Sequence, residues 1–208
     1  MSNRNQPSQD PADGRYHHGN LREALLDAVG ETIAEKGVAG VSLREAARRA
    51  GVSHGAPAHH FGDKLGLLTA YSTRGFQLFG ERMRAAAESA AEPGQRLNAI
   101  GVEYLRFALE EPAYFEVMFR SDMHASDDDT FQATSKGAFG ILADVAAEAS
   151  QDDCDDNDPL VLALKSWALV HGLASLWADG AISHFWPGDD LAELAGLIFE
   201  DEFGGGSD

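Results

Sequence analysis

Cysteine is almost missing from this chain: the 208 residues hold one, Cys154. A lone thiol forms no intrachain disulfide and no thiolate cage for a metal, so the fold must rest on burial and hydrogen bonding. Uninterrupted apolar runs are missing too. The longest candidate, residues 159–178, is broken by Lys165, Ser166 and His171, which argues against a membrane span. The polar opening MSNRNQPSQDPADGRY has no apolar signal segment, and the expectation is a cytoplasmic chain with no membrane partner. H-E-x-x-H, phosphate-loop and dinucleotide fingerprints are absent, so neither catalysis nor a cofactor is expected.

Positive charge is the other shortage, with a formal net charge of −18. It is unevenly spread. Residues 1–64 carry eight Lys/Arg against eight Asp/Glu, whereas the remainder carries eight against 26. The contrast suggests two units with different partners. An acidic body would repel DNA and discourage misoriented binding; equally, it can be a general solubility or salt adaptation.

β-branched runs are rare, no internal repeat is visible, and helical periodicity covers almost everything between two loose polar stretches, 1–14 and 150–159. The expected fold class is all-α. The expected division is an N-terminal arm (1–15), a small three-helix head (16–70), a helical body (71–203) and a short tail (204–208).

The first helix should open at Asn20, with Glu23 placed to reach back to the cap. Leu21, Leu25, Ala28 and Thr32, beside Ala24, Val29 and Ile33, form its inner stripe, and Gly37 ends it. Ser42 and Glu45 repeat the device as an S-x-x-E capping box before a short second helix. Gly51-Val52-Ser53 then turns the chain, with Ser53 expected to cap a third helix, HGAPAHHF, and Asp63 to cap a fourth beginning at Lys64. Two short helices joined by a glycine-containing turn are the helix-turn-helix arrangement, whose second helix projects into a major groove.

The order of these pieces from Tyr16 to Leu68, with Ala-Gly-Val-Ser in the turn, His-Phe ending the third helix and a lysine opening the fourth, resembles the DNA-binding domain of the tetracycline-repressor (TetR) family. The resemblance implies a double-stranded DNA operator as partner. By position, Ser42, Lys64 and His60 would meet phosphates, and Ser53, His54, Gly55 and Ala56 would face the groove, where His54 can bond a purine and Ala56 a thymine methyl. Capping alone also accounts for Ser42, and solvent exposure for His60. Ala58 departs from the family, which usually has a tyrosine there; it cannot reach a phosphate, and His59 is left as the candidate replacement. Arg15, His17 and His18 precede the first helix, where an arm can reach a minor groove or phosphate. No carboxylate or cysteine accompanies those histidines at ligand spacing, so no metal site is expected. Arg44, Arg48 and Arg49 either strengthen the field at the DNA or face water.

The body is dense in aromatics and methionines between residues 102 and 123, with Tyr104, Phe107, Tyr114, Met118 and Phe119 among them. Such a set is usually core; the resemblance implies instead that some line a pocket for a small, largely apolar effector. Trp167, His171 and Gly172 form W-x-x-x-H-G, which resembles the WHG-type C-terminal domain found behind some TetR-like heads. Trp167 and His171 are thereby pocket candidates, His171 also reading as a hydrogen-bonded core residue. In that family the last two long helices pair with their twofold mates, which points to a homodimer through Leu164, Gly172, Leu176, Leu191, Leu194 and Ile198. The implied function is a ligand-responsive repressor on a palindromic operator, released when an effector changes the spacing of the heads. The alternative is a TetR-fold ligand-binding or interaction module with weak DNA binding.

Overall fold

Apolar residues at three- and four-residue spacing build the first helix, α1 (Leu21–Lys36), with Leu25, Leu26, Ala28, Val29, Thr32 and Ile33 buried. Gly37 ends it at φ +67°, a left-handed conformation that suits a residue without Cβ. The structure is a computed structural model describing residues 21–152, 158–188 and 191–203; Arg15, His17, His18, Asn20 and Cys154 lie outside the described residues. Among the described residues there is no strand, and the all-α fold class holds.

A single 3-10 turn (Val38–Gly40) leads to α2 (Leu43–Arg49), where Ser42 Oγ accepts the Glu45 N–H at 3.1 Å. The other half of the expected capping box is not made. Glu45 turns its carboxylate to Lys36, Arg48 and Arg49, because three charge-assisted partners outweigh one backbone N–H.

The third helix, α3 (Ala56–Phe61), corrects an expectation. Ser53 does not cap it; the cap position falls on Gly55, and Ser53 offers only its backbone carbonyl, to the Ala56 N–H at 3.0 Å. A helix capped at Ser53 would need Pro57 to donate an N–H to the Ser53 carbonyl, and proline has none. Pro57 is therefore confined to the first turn, and His54 stands in the turn ahead of the helix instead of within it.

Asp63 Oδ1 accepts the Gly66 N–H at 2.8 Å and starts α4 (Lys64–Glu88), which runs unbroken past residues 70–71. Head and body thus share one rod. The body adds α5 (Pro93–Glu110), α6 (Pro112–Met118), α7 (Asp129–Asp152), α8 (Pro159–Ala178) and α9 (Leu191–Phe203). α4 packs on α5 and α7, α8 lies across α5 and α7, and α9 packs on α5. At Gly75 a Cβ would sit 2.7 Å from Met118 Sδ and 2.8 Å from Tyr114 Cδ1, so glycine there lets α6 close on α4.

α8 alone among the described helices is long and apolar enough to cross a bilayer. Its inner face, Ala163, Ser166, Val170, Leu173 and Ala174, is buried instead against α5 and α7.

Candidate DNA-binding surface and effector cavity

Ala46 and Ala47 are buried between α1 and α2, and Gly51, φ +66°, turns the chain into the segment that precedes α3. That geometry leaves Ser42, Arg44, Ser53, His54, Gly55, Ala58, His59, His60 and Lys64 exposed around the two short helices, with Ala56 half-buried. The rings of His59 and His60 stand edge to face at 5.6 Å. Lys64 Nζ donates to the Val38 carbonyl at 3.2 Å, which holds the ammonium over the turn before Ser42 and leaves donors for an anion.

The arginines of α2 do not share one role. Arg49 is 11% exposed and pairs with Glu31, Glu35 and Glu45, so it neither faces water nor adds to a free field. Arg48 pairs with the same Glu45 at 2.8 Å, as does Lys36 at 2.9 Å. The Arg48 and Lys36 hydrogen bonds hold the Glu45 carboxyl well below the usual carboxylate range, and the Arg49 bond lowers Glu35. Arg44 is the cation of α2 with no ion-pair partner among the described residues. The head is therefore locally neutral, as its composition implied, and its side chains at the groove face are small or histidine.

Between head and body stands Arg74 of α4. Its Nε donates to Tyr114 Oη at 2.6 Å, and its Nη1 reaches Glu23 Oε2 at 3.1 Å and Asp27 Oδ1 at 2.8 Å. The ring of Tyr114 stacks on Tyr71 at 4.4 Å. Burial pushes the Tyr114 hydroxyl up despite the neighbouring guanidinium, so it stays a neutral acceptor. Tyr114 and Met118 consequently leave the set of pocket candidates: α6 turns both toward α4, Met118 against Gly75 and Tyr114 against the head.

The body does carry a half-open cavity, about 380 Å³, between α4, α5, α7 and α8. Its walls include Phe76, Phe79, Met83, Ile100, Tyr104, Phe119, Phe139, Leu142, Leu164 and Trp167, with Ser135 and Lys136 also lining it. Of the expected residues, Tyr104, Phe119 and Trp167 line it. Phe107 does not: it is fully buried behind Phe79, ring centroids 5.1 Å apart. His171 does not either; its Nδ1 bonds the Tyr104 hydroxyl at 2.8 Å, and its ring is surrounded by Phe115, Phe119 and Trp167. Burial lowers the His171 pKa and raises that of Tyr104, the latter opposed by a hydrogen bond from Trp167, so the pair is held neutral. The α4 and α7 walls lie outside the aromatic-dense segment 102–123. The available signal was the 3.6-residue apolar spacing of Ala138, Phe139 and Leu142, which also suits plain core.

The residues expected at a twofold interface divide. Leu164 and Leu176 are 44% and 51% exposed, and a Cβ at Gly172 would meet nothing within 4 Å. Leu191, by contrast, is 1% exposed, and Leu194 and Ile198 are half-buried against the core of their own chain. Helical spacing turns 191, 194, 195 and 198 onto α5, leaving Leu197 outward at 51%.

Comparison with known proteins matches both units. Residues 25–71 match the model of bacterial regulatory proteins of the tetR family, and residues 97–196 the tetracyclin repressor-like C-terminal domain. The HTH-type transcriptional regulator BetI of Paraburkholderia phytofirmans is 40% identical over 82 residues, and that of Burkholderia thailandensis 42%. The chain spans 41% of the length of these relatives, and the match takes in 38% of this chain. A solved structure of a Rhodococcus sp. RHA1 protein of unknown function superposes with a TM-score of 0.79 at 30% identity, covering 93% of this chain and 98% of that one. The regulator FadR of Bacillus subtilis, solved with stearoyl-CoA, shares the fold at 18% identity and a TM-score of 0.71, over 89% of this chain and 99% of its own. With a helix-turn-helix head on one family model and a cavity-bearing body on the other, the chain belongs to the TetR family of DNA-binding transcriptional regulators.

Proposed function

We propose that this regulator is a repressor that binds a palindromic operator as a homodimer and is released by a small, largely apolar effector. The observation that carries the reading is the position of α6. One end of this short helix touches the cavity through Phe119, and the other is tied through Tyr114 and Arg74 to Glu23 and Asp27 of α1. A ligand that displaces Phe119 therefore acts on the helix that sets the stance of the head. Such a shift needs differential affinity of effector for the two stances, which the cavity beside α6 can supply.

In this reading His54, Gly55 and Ala56 face base edges, while Ser42, Arg44, His59, His60 and Lys64 meet phosphates. One recognition helix reads few bases, so a twofold partner doubles the site. The exposed face of α8, with Val161, Leu164 and Leu176 around the open Gly172, is the surface offered to that partner. Sedimentation of Leu176→Glu should show a monomer that no longer binds a two-half-site duplex; a dimer that binds as before would remove α8 from the interface.

A second reading, a module of this fold with weak DNA affinity, is favoured by Ala58 and by the capture of Lys36, Arg48 and Arg49 by glutamates. A salt-titrated gel shift with the chain's own upstream DNA separates the two. Specific binding should fall by ~0.9 log units per log salt for each phosphate neutralised, and His54→Ala should weaken it at low salt. No shift at low salt would select the module.

A further inference from the structure

The cavity walls are almost wholly apolar, and the polar group facing it from α5 is already occupied, since Tyr104 Oη bonds His171 Nδ1 at 2.8 Å. The Ser135 hydroxyl on the wall already donates to the Gln132 carbonyl at 3.2 Å, so a ligand lying inside finds few free groups to bond its own polar atoms. Charge enters at one place, where exposed Lys136 of α7 lines the cavity beside Ser135. Lys136 has no carboxylate partner among the described residues; its Nζ donates to the neutral Gln132 Oε1 at 3.2 Å. Of the eight Lys/Arg from residue 65 onward, Arg74, Arg82, Arg96, Arg106 and Arg120 are each paired with a carboxylate; Arg84 and Lys165 have no ion-pair partner among the described residues either, but neither of them lines the cavity. The positions one turn either side of Lys136 on its own helix, Gln132, Ala133, Phe139 and Gly140, carry no charge.

We propose that the effector is a small amphiphilic monoanion, with an apolar part in the cavity and a carboxylate or similar acid head paired with Lys136. The proposal rests on the effector-cavity reading above and names its ligand class. The volume of about 380 Å³ lies at the small end of ligand pockets, roughly 300–1,000 Å³, and suits a small apolar part such as a medium-length alkyl chain. One lysine balances one negative charge. A head bearing several phosphates would meet the carboxylate surplus of the body instead, and repulsion there disfavours it.

The test uses four probes that share a ten-carbon chain: decanoate, decanol, decyltrimethylammonium and decanoyl-coenzyme A. Binding is followed by tryptophan fluorescence, because Trp167 lines the cavity, and by release of operator DNA. Decanoate should bind about fivefold tighter than decanol, the worth of one half-exposed ion pair, and tighter than the ammonium and the thioester. Lys136→Gln should bring decanoate to the level of decanol without changing decanol itself, while Lys165→Gln should leave the preference intact. Decanol, the ammonium or the thioester binding as well as decanoate, or a preference that survives Lys136→Gln, would overturn the proposal while keeping the cavity as an apolar ligand site. Failure of all four probes to bind would remove both.

Discussion

In the head, from α1 to the start of α4, helix ends are closed by short local contacts, and charges are matched within α2 and between α2 and α1. Ser42 and Asp63 cap their helices, Gly37, Gly51 and Gly62 end segments at positive φ, and Glu45 gathers Lys36, Arg48 and Arg49. In the body the same kinds of helix leave a cavity among phenylalanines and carry an apolar face of α8 into solvent. A reading unit must hold its recognition helix in one place, and dense local satisfaction does so. A sensing unit of the kind proposed must have two states of similar free energy, and an unfilled interior beside Phe119 allows that.

The largest effect should separate filled core from cavity wall. Phe107→Ala, at a fully buried site, should destabilise by about 4 kcal/mol, whereas Phe139→Ala, half-buried on the cavity, should cost about half that, because its side chain already faces unfilled space. Urea midpoints at constant m measure both. Equal losses would mean the cavity closes in solution.

A smaller effect tests the tie between the units. In a double-mutant cycle of Arg74→Gln and Tyr114→Phe, their 2.6 Å hydrogen bond should give a coupling of about 1–2 kcal/mol in stability. The single variants should keep effector binding but lose most of its effect on operator affinity. Unchanged allosteric response in both would detach α6 from the head.

The smallest effect concerns acid, and it orders the two units. His171 and His124 of the body have pKa values lowered by burial; His124 lies 4.0 Å from the Phe131 ring, and its Nδ1 is buried with no hydrogen-bond partner. A histidine depressed in the folded state holds fewer protons there than in the unfolded chain, so stability is lost as pH falls below the unfolded value of about 6.5. The slope is at most about 1.4 kcal/mol per pH unit for each histidine. In the head, the lowered carboxylates Glu35 and Glu45 contribute stability above their ordinary value of 4.5, lost only as pH falls further. Acid should therefore loosen the body first. Stability curves from pH 7 to 5 should flatten in His124→Gln with His171→Gln, and Glu45→Gln should change the curve only below about pH 4.5.

Most of the head was legible in the chain because its determinants are local: a serine three residues before a glutamate, an aspartate before a lysine, a glycine where the helix stops. The misplaced start of α3 was legible too, since the missing N–H of Pro57 forbids a cap at Ser53. The capture of Glu45 was not, because Lys36 comes from α1 and its distance to Glu45 is set by helix packing. In the body, the all-helical class followed from periodicity, but pocket and core residues did not divide correctly. Phe107 and Phe119 are equally apolar, and which one meets empty space depends on how α4, α5, α7 and α8 cross. The same holds for Leu191 and Leu197, two residues of one helix that face opposite ways.

By itself the sequence determined an all-helical chain with a near-neutral helix-turn-helix head and an acidic body, since charge, caps and hydrophobic period act over one or two turns and are written in adjacent residues. Only the tertiary structure decided that Arg74 joins Tyr114 to Glu23 and Asp27, that Arg49 is spent inside the head, and that an unpaired Lys136 stands beside an apolar cavity. Those outcomes depend on side chains as many as 51 positions apart meeting in space, and the burial that brings them together is non-directional, leaving the choice of neighbours to packing.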